Sequence, residues 1–359
     1  MANLGKRLLH ARTAAHLTQA EVIARSGLEV GVSSISEWEN EAREPSVTQL
    51  ARLADVYKRP FDWFLASTPI VEQQIKWRKK PESPADIEAE FRRLCTYYHE
   101  LETLCESKFP CTLPAPAQIK SQREAQLLAD TIRNDLKLGP RAGLTLRSRL
   151  EEAYAVKLFC MDFDPTGTAA TLCERDGIGV GILLNHKNSI RRLAFDLAHE
   201  LYHVVATESK DEERLADVFA AQLLLPAEEF LGAVDARRNQ NGKISFGAFF
   251  EVIREFGVSL DAAVWRLSAL SSNAEQSKVE ETIRRLRQAW RESEDSVTLE
   301  HPPKLPDRYV ALARQALMRG LISVGHYAKC LGISRNRAMA DQGELLEIEG
   351  DDNLEAVLA

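Results

Sequence analysis

The stretch Arg191–Pro226, "RRLAFDLAHELYHVVATESKDEERLADVFAAQLLLP", holds two helical periodicities with a short polar break between them. Leu193, Leu197, Leu201 and Val204 fall on one stripe at about 100° per residue. His199 and His203, at i and i+4, project together from roughly the opposite side, with Glu200 beside them. "TESKD" reads as a tight connection, with Asp211 at the N-cap position of a second helix. On that helix Glu213 and Asp217 share a face, and Ala216, Ala220 and Ala221 are small enough for close approach. The spacing predicts a helical hairpin whose polar side chains are either a solvated edge or a built site.

The residue types favour a built site. Two imidazoles one turn apart can chelate a single zinc ion, at Zn–N distances of about 2.0–2.1 Å. Catalytic zinc sites use three protein ligands and leave one position for water. Glu213 is placed to be the third ligand, and Glu200 to take a proton from water at the open position. Asp217 can accept from the second ring nitrogen of a histidine ligand, most naturally His199, fixing its tautomer. An H-E-x-x-H string alone is only suggestive; on an amphipathic helix, with E-x-x-x-D on the next, it is specific.

Working outward, the chain of 359 residues is long enough for two or three domains. A hydrophobic content of 45% and a charged content of 28% are ordinary for a globular protein. The first residues, "MANLGKRLLHARTAAHLTQ", contain no apolar run of signal-peptide length, and no stretch is long enough to span a membrane. The six cysteines form no C-x-x-C pair, so a reducing cytoplasm is the expected compartment. Net charge is −7, but the stretch from Asp341 onward carries seven acids and no Lys or Arg, leaving the remainder neutral. Overall charge thus neither announces nor excludes a nucleic-acid partner.

The expected fold class is α+β, mostly α. Residues 1–66 read as an all-helical unit, 67–83 as a basic linker containing "KWRKKP", and 84–272 as the body around the hairpin. Residues 273–346 form a C-terminal helical module, and 347–359 an acidic tail. Strand-like segments lie at "YAVKLFCMDF" and "GIGVGILLN". The linker run could touch phosphate, although such runs are more often simply solvated.

"RRLAFDLAHELYHVV" followed by "EERLADVFAAQLLLP" resembles the ImmA/IrrE family of bacterial metallopeptidases over roughly residues 120–270. The resemblance implies a gluzincin-like peptidase domain with a small sheet, an H-E-x-x-H helix and one zinc ion. His199, His203 and Glu213 would be ligands and Glu200 the general base. "GIGVGILLN" matches the strand and asparagine (Asn185) that precede the motif in that family, which puts Asn185 at the cleft. The strand itself is either an edge that pairs with an extended substrate or a buried strand. Tyr202 departs from the glycine usual there; at the flank of the metal face, its hydroxyl could stabilise a developing oxyanion. Cys160 and Cys173, in this region, could occupy an open zinc position as thiolates, or simply be buried.

"LTQAEVIARSG" followed by "SSISEWENEAREPSVTQLARLADVY" resembles the Xre (Cro/lambda-repressor) family over residues 4–65, which implies a five-helix, helix-turn-helix DNA-binding domain. Gln19, Ser33, Ser34, Ser36 and Glu37 match its base-contacting positions, with Arg43, Lys6, Arg7 and Arg12 as phosphate contacts. The turn "GLEVGVSSIS" is two residues longer than the usual one. Residues 1–66 hold eight basic and eight acidic side chains, so phosphate attraction is modest. "GLISVGHYAKCLGISRNRA" again reads helix, turn, helix, as a second such motif or a sensor.

Together these imply a regulator that binds an operator in double-stranded DNA as a homodimer. It would carry a zinc endopeptidase domain that cleaves a repressor- or antitoxin-class protein in a stress, phage or mobile-element response. The alternative is a transcription factor or antitoxin whose peptidase-like domain senses or dimerises without cleaving.

Overall fold

The N-terminal unit consists of α1 (Leu4–Ala14), α2 (Gln19–Ser26), α3 (Val32–Glu39), α4 (Val47–Val56) and α5 (Phe61–Leu65). These ranges come from a computed structural model, which describes residues 4–15, 17–59, 61–66, 75–107, 112–164, 169–174, 178–207, 210–271, 276–292 and 302–351. Helix α2 starts where Thr18 and Glu21 close a capping box: the Glu21 amide donates to Thr18 Oγ1 at 3.2 Å and the Thr18 amide to Glu21 Oε2 at 2.7 Å. It ends on Gly27, whose φ of 59° needs no Cβ. Gly31 then caps α3, so five residues separate the two helices. Leu8, Val22, Ile35, Trp38, Leu53 and Phe64 fill this unit's own core.

Two of the expected phosphate contacts are instead spent internally. Arg7 is 1% exposed, and its Nη1 donates to Trp63 O at 2.8 Å. Arg12 forks onto Glu39 at 2.6 and 3.0 Å, and Gln19 Nε2 donates to the same carboxylate at 2.9 Å, so α1, α2 and α3 share one ionic knot. Sequence spacing did not show that α3 would place Glu39 beside Arg12, or that the Trp63 carbonyl would take up Arg7.

A four-stranded sheet organises the rest: β1 (Ile75–Trp77), β2 (Lys157–Met161), β3 (Ala169–Glu174) and β4 (Gly179–Asn185), in the order β1-β3-β4-β2. Only β2 and β4 are parallel. Alternation sends Val180, Ile182 and Leu184 to one core, and Phe159, Ala170 and Leu183 to the other. On the first face lie α7 (Gln122–Asp135), α8 (Ala142–Tyr154), α9 (Ile190–Val205) and α10 (Glu212–Leu224), followed by α11 (Ala227–Asp235), α12 (Phe246–Phe256), α13 (Leu260–Leu270) and α14 (Gln276–Glu292). On the second lies α6 (Ala85–Leu104). It packs so tightly that a Cβ at Gly181 would stand 2.5 Å from Cys95 Sγ. No described helix is long and apolar enough to cross a membrane.

One segment settles an open alternative and two differ from their expected roles. The "GVGILLN" part of that stretch is β4, interior to the sheet and largely buried, so the edge-strand alternative does not hold. Part of the basic linker is β1, whose residues alternate: Ile75 and Trp77 pack on the second core, while Lys76 pairs across from Thr171. The C-terminal helices α15 (Asp307–Met318), α16 (Val324–Leu331) and α17 (Arg335–Asp351) share that core with α6 through Tyr309, Leu312 and Tyr98. They form one layer with it.

Candidate metal centre

Helix α9 begins at Ser189, whose side chain accepts from the Arg192 amide, and its leucine stripe is buried as the spacing predicts. Helix α10 lies against it on Ala216 and Ala220, both fully buried. Asp211 stands at the N-cap of α10 but makes no side-chain capping bond. Close packing of the two helices brings His199, His203 and Glu213 together.

The distances are those a tetrahedral cation requires. His199 Nε2 and His203 Nε2 are 3.2 Å apart. Glu213 Oε2 lies 3.3 Å from the first and Oε1 3.5 Å from the second. With bonds of about 2.0–2.1 Å, neighbouring ligands on a zinc tetrahedron are separated by about 3.3 Å. His199 Nδ1 is 2.8 Å from Asp217 Oδ1, so that nitrogen carries the proton and Nε2 presents its lone pair. Burial, reinforced by the neighbouring imidazole, pulls the His203 pKa down to about 4, leaving a neutral ring. Lone pairs and carboxylate oxygens converge here, an arrangement that repels itself unless a cation sits among them.

Glu200 is 2% exposed. Its Oε2 accepts from Thr171 Oγ1 at 2.7 Å, while Oε1 is buried with no hydrogen-bond partner among the described residues. Burial pushes its pKa up to about 7, against the opposing pull of the Thr171 bond and of neighbouring His199 and Arg78. One oxygen is anchored and the other is free beside a cleft of about 60 Å³ lined by Glu200, Tyr202, His203, Glu213, Lys76 and Arg78. That volume is enough for water.

The remaining predicted residues separate. Tyr202 lines this cleft at 1% exposure, stacked edge-on against His203, with a hydroxyl that has no described partner. Asn185 lies apart from the cleft lining. Its amide donates to Phe163 O at 2.8 Å and its Oδ1 accepts from the Lys187 amide at 3.1 Å, which shapes the turn into α9. Cys160 is buried in β2, across the sheet from β3, with Arg147 against its sulfur. The Cys173 side chain lies outside the described residues. Thr171, Arg78 and Asp196 are site residues that sequence spacing did not find. Thr171 lies on β3 and Arg78 just past β1, strands whose pairing no local pattern reveals. Asp196, one turn before His199, was visible but had no partner to identify it.

On the N-terminal unit, Ser33, Glu37 and Arg43 are exposed, and Ser34 and Ser36 are half-buried on the same helix or its end. Gln19 is half-buried in the Glu39 knot.

Two family models match the chain. One, described as an IrrE N-terminal-like domain of a peptidase family, covers residues 151–268, from the end of α8 to α13. The other, described as a helix-turn-helix, covers residues 8–64. No curated protein and no solved structure matches. The chain therefore joins a helix-turn-helix DNA-binding domain to a peptidase-family domain, the fusion that both resemblances implied.

Proposed function

We propose that the chain is a DNA-binding regulator whose second domain is a zinc-dependent endopeptidase acting on a partner protein of repressor or antitoxin class. The observation that carries this reading is the tethered Glu200, with one unpaired oxygen, beside three ligand atoms at tetrahedral spacing. His199, His203 and Glu213 would hold the ion. When bound, zinc supplies Lewis-acid polarisation of a carbonyl and acidification of water. Glu200 takes the proton of the attacking water on Oε1 and delivers it to the leaving amine, while Thr171 keeps Oε2 fixed. Tyr202 has an unused donor at the cleft, suited to a developing oxyanion.

The test is metal analysis of the purified full chain, with incubation against proteins encoded by adjacent genes. One zinc per chain, and a single cut lost on chelation and restored by zinc, is the expected result. No metal at any loading overturns the reading. A subordinate prediction concerns Tyr202→Phe: zinc content should be unchanged and kcat should fall roughly 10- to 100-fold with KM nearly constant. An unaltered kcat makes the ring a packing element only.

For the N-terminal domain, α3 enters the major groove with Ser33 and Glu37 foremost, in a dimer that reads two half-sites. Because Arg7 and Arg12 are occupied, Arg43 and Lys6 carry the phosphate contacts. Arg43→Ala should weaken operator binding evenly across sequences and lower the slope of log K against log salt by about 1. A footprint titrated at several salt concentrations measures this. Loss of sequence preference with an unchanged slope would instead make Arg43 a base reader.

A further inference from the structure

Arg78 stands in the segment between the two matched domains, well before residues 151–268, yet its guanidinium reaches the metal centre. The reach follows from β1. This strand pairs antiparallel with β3, Lys76 opposite Thr171, and the Arg78 amide continues the ladder to Ala169 O at 3.2 Å. The arginine then lies over the gap between α9 and α10. Its Nη1 is 3.2 Å from Asp196 Oδ1, its Nη2 3.3 Å from Asp217 Oδ1, and its Nε 4.0 Å from Glu213 Oε2.

Asp217 Oδ1 is the same oxygen that meets His199 Nδ1 at 2.8 Å. One planar cation thus spans a ligand carboxylate and the carboxylate that orients a ligand ring. Arg192 also pairs with Asp196, at 3.2 Å, and Asn188 bonds that residue's other oxygen at 3.0 Å. Asp196 would therefore stay paired without Arg78, whereas Asp217 would lose the guanidinium that holds it. Asp217 and Glu213 are both more than half exposed, so packing alone does not fix their rotamers.

We propose that Arg78 is a positioning residue of the metal centre. It aims the Asp217 carboxylate at His199 and steadies Glu213, so the strand arriving from the helix-turn-helix side is a working part of the peptidase site. This rests on reading His199, His203 and Glu213 as ligands. It also means that the functional unit begins before the family match, at β1.

The test uses the full chain as wild type, R78Q, R78K and R192Q. Zinc affinity is measured by competition with a chelating indicator, and ligand geometry by the visible spectrum after cobalt(II) loading. R78Q is expected to bind zinc about 10- to 100-fold more weakly and to shift the cobalt bands. R78K should recover part of the loss, since an ammonium reaches one carboxylate where the fork reaches two. R192Q should stay within about threefold of wild type, because it leaves Asp217 and Glu213 held. The proposal is overturned if R78Q binds zinc like wild type with an unchanged spectrum. It is equally overturned if R192Q loses as much affinity as R78Q, which would reduce Arg78 to neutralising Asp196. Should R78Q not fold by circular dichroism, R78K decides: wild-type affinity and spectrum there would end the idea. Wild-type chain that binds no zinc defeats the ligand assignment itself, while normal wild-type binding with an unaffected R78Q defeats Arg78 alone.

Discussion

Glu200→Gln should leave one zinc per chain in place and cut the partner protein roughly 10³-fold more slowly, within the range general-base catalysis contributes. Glutamine keeps the shape of the side chain and can still accept from Thr171 Oγ1, the bond that now holds Oε2 at 2.7 Å. What it removes is the basic lone pair at Oε1, the buried oxygen with no described partner. No charge enters a site that is 2% exposed, so folding should not suffer. The loss should fall on kcat with KM little changed, because the proton is transferred only as the transition state forms. The matching biological measurement is operator repression. If Glu200→Gln leaves the output of the whole system intact, the domain senses or dimerises and does not cleave. That is the strongest outcome against an enzyme.

The sequence made the candidate ligand set readable for a local reason. His199 and His203 lie on one helix and Glu213 and Asp217 on the next, so helical periodicity alone aligns each pair. Only one tertiary assumption remained, that the alanine face of α10 packs on α9, and that assumption is met. The N-terminal unit was legible as all-helical, its five helices as what the resemblance implied; the capping boxes at Thr18 and Ser46 and the turn at Gly27 set its helix ends. Where the reading fell short, the determinant was sheet pairing. "GIGVGILLN" has no alternating polar face, which fits a buried strand and an edge equally well, and only the flanking β2 and β3 decide for burial. The basic run "KWRKKP" looked like a solvated connector because Lys and Arg dominate it. Its Trp77 and the preceding Ile75 nevertheless reach an apolar face, and Arg78 reaches three acids distant in sequence. Asn185 was assigned to the cleft by family position, yet its amide is consumed in shaping the turn before α9.

Glu213→Ala should reduce zinc affinity by at least about 100-fold, since it removes one of three ligands where changes behind a ligand already cost 10- to 100-fold. The substitution is a clean one. The Glu213 side chain is 57% exposed, so its loss leaves no cavity, and any change in stability without metal should be small. Asp217→Asn should fall between this variant and wild type, because the His199 ring keeps a partner of the same shape but loses the negative charge behind it. Thermal melts give a second reading. Zinc bound only by the folded chain stabilises it by about 2.7 kcal/mol at a free concentration 100 times Kd. Wild type should therefore melt higher with zinc, while Glu213→Ala at the same concentration should scarcely respond. Glu213→Ala with wild-type affinity would mean that the third ligand lies elsewhere. The 3.3 and 3.5 Å approaches of its oxygens to the two imidazoles would then have no part in holding zinc, and the zinc peptidase reading would lose its geometric basis.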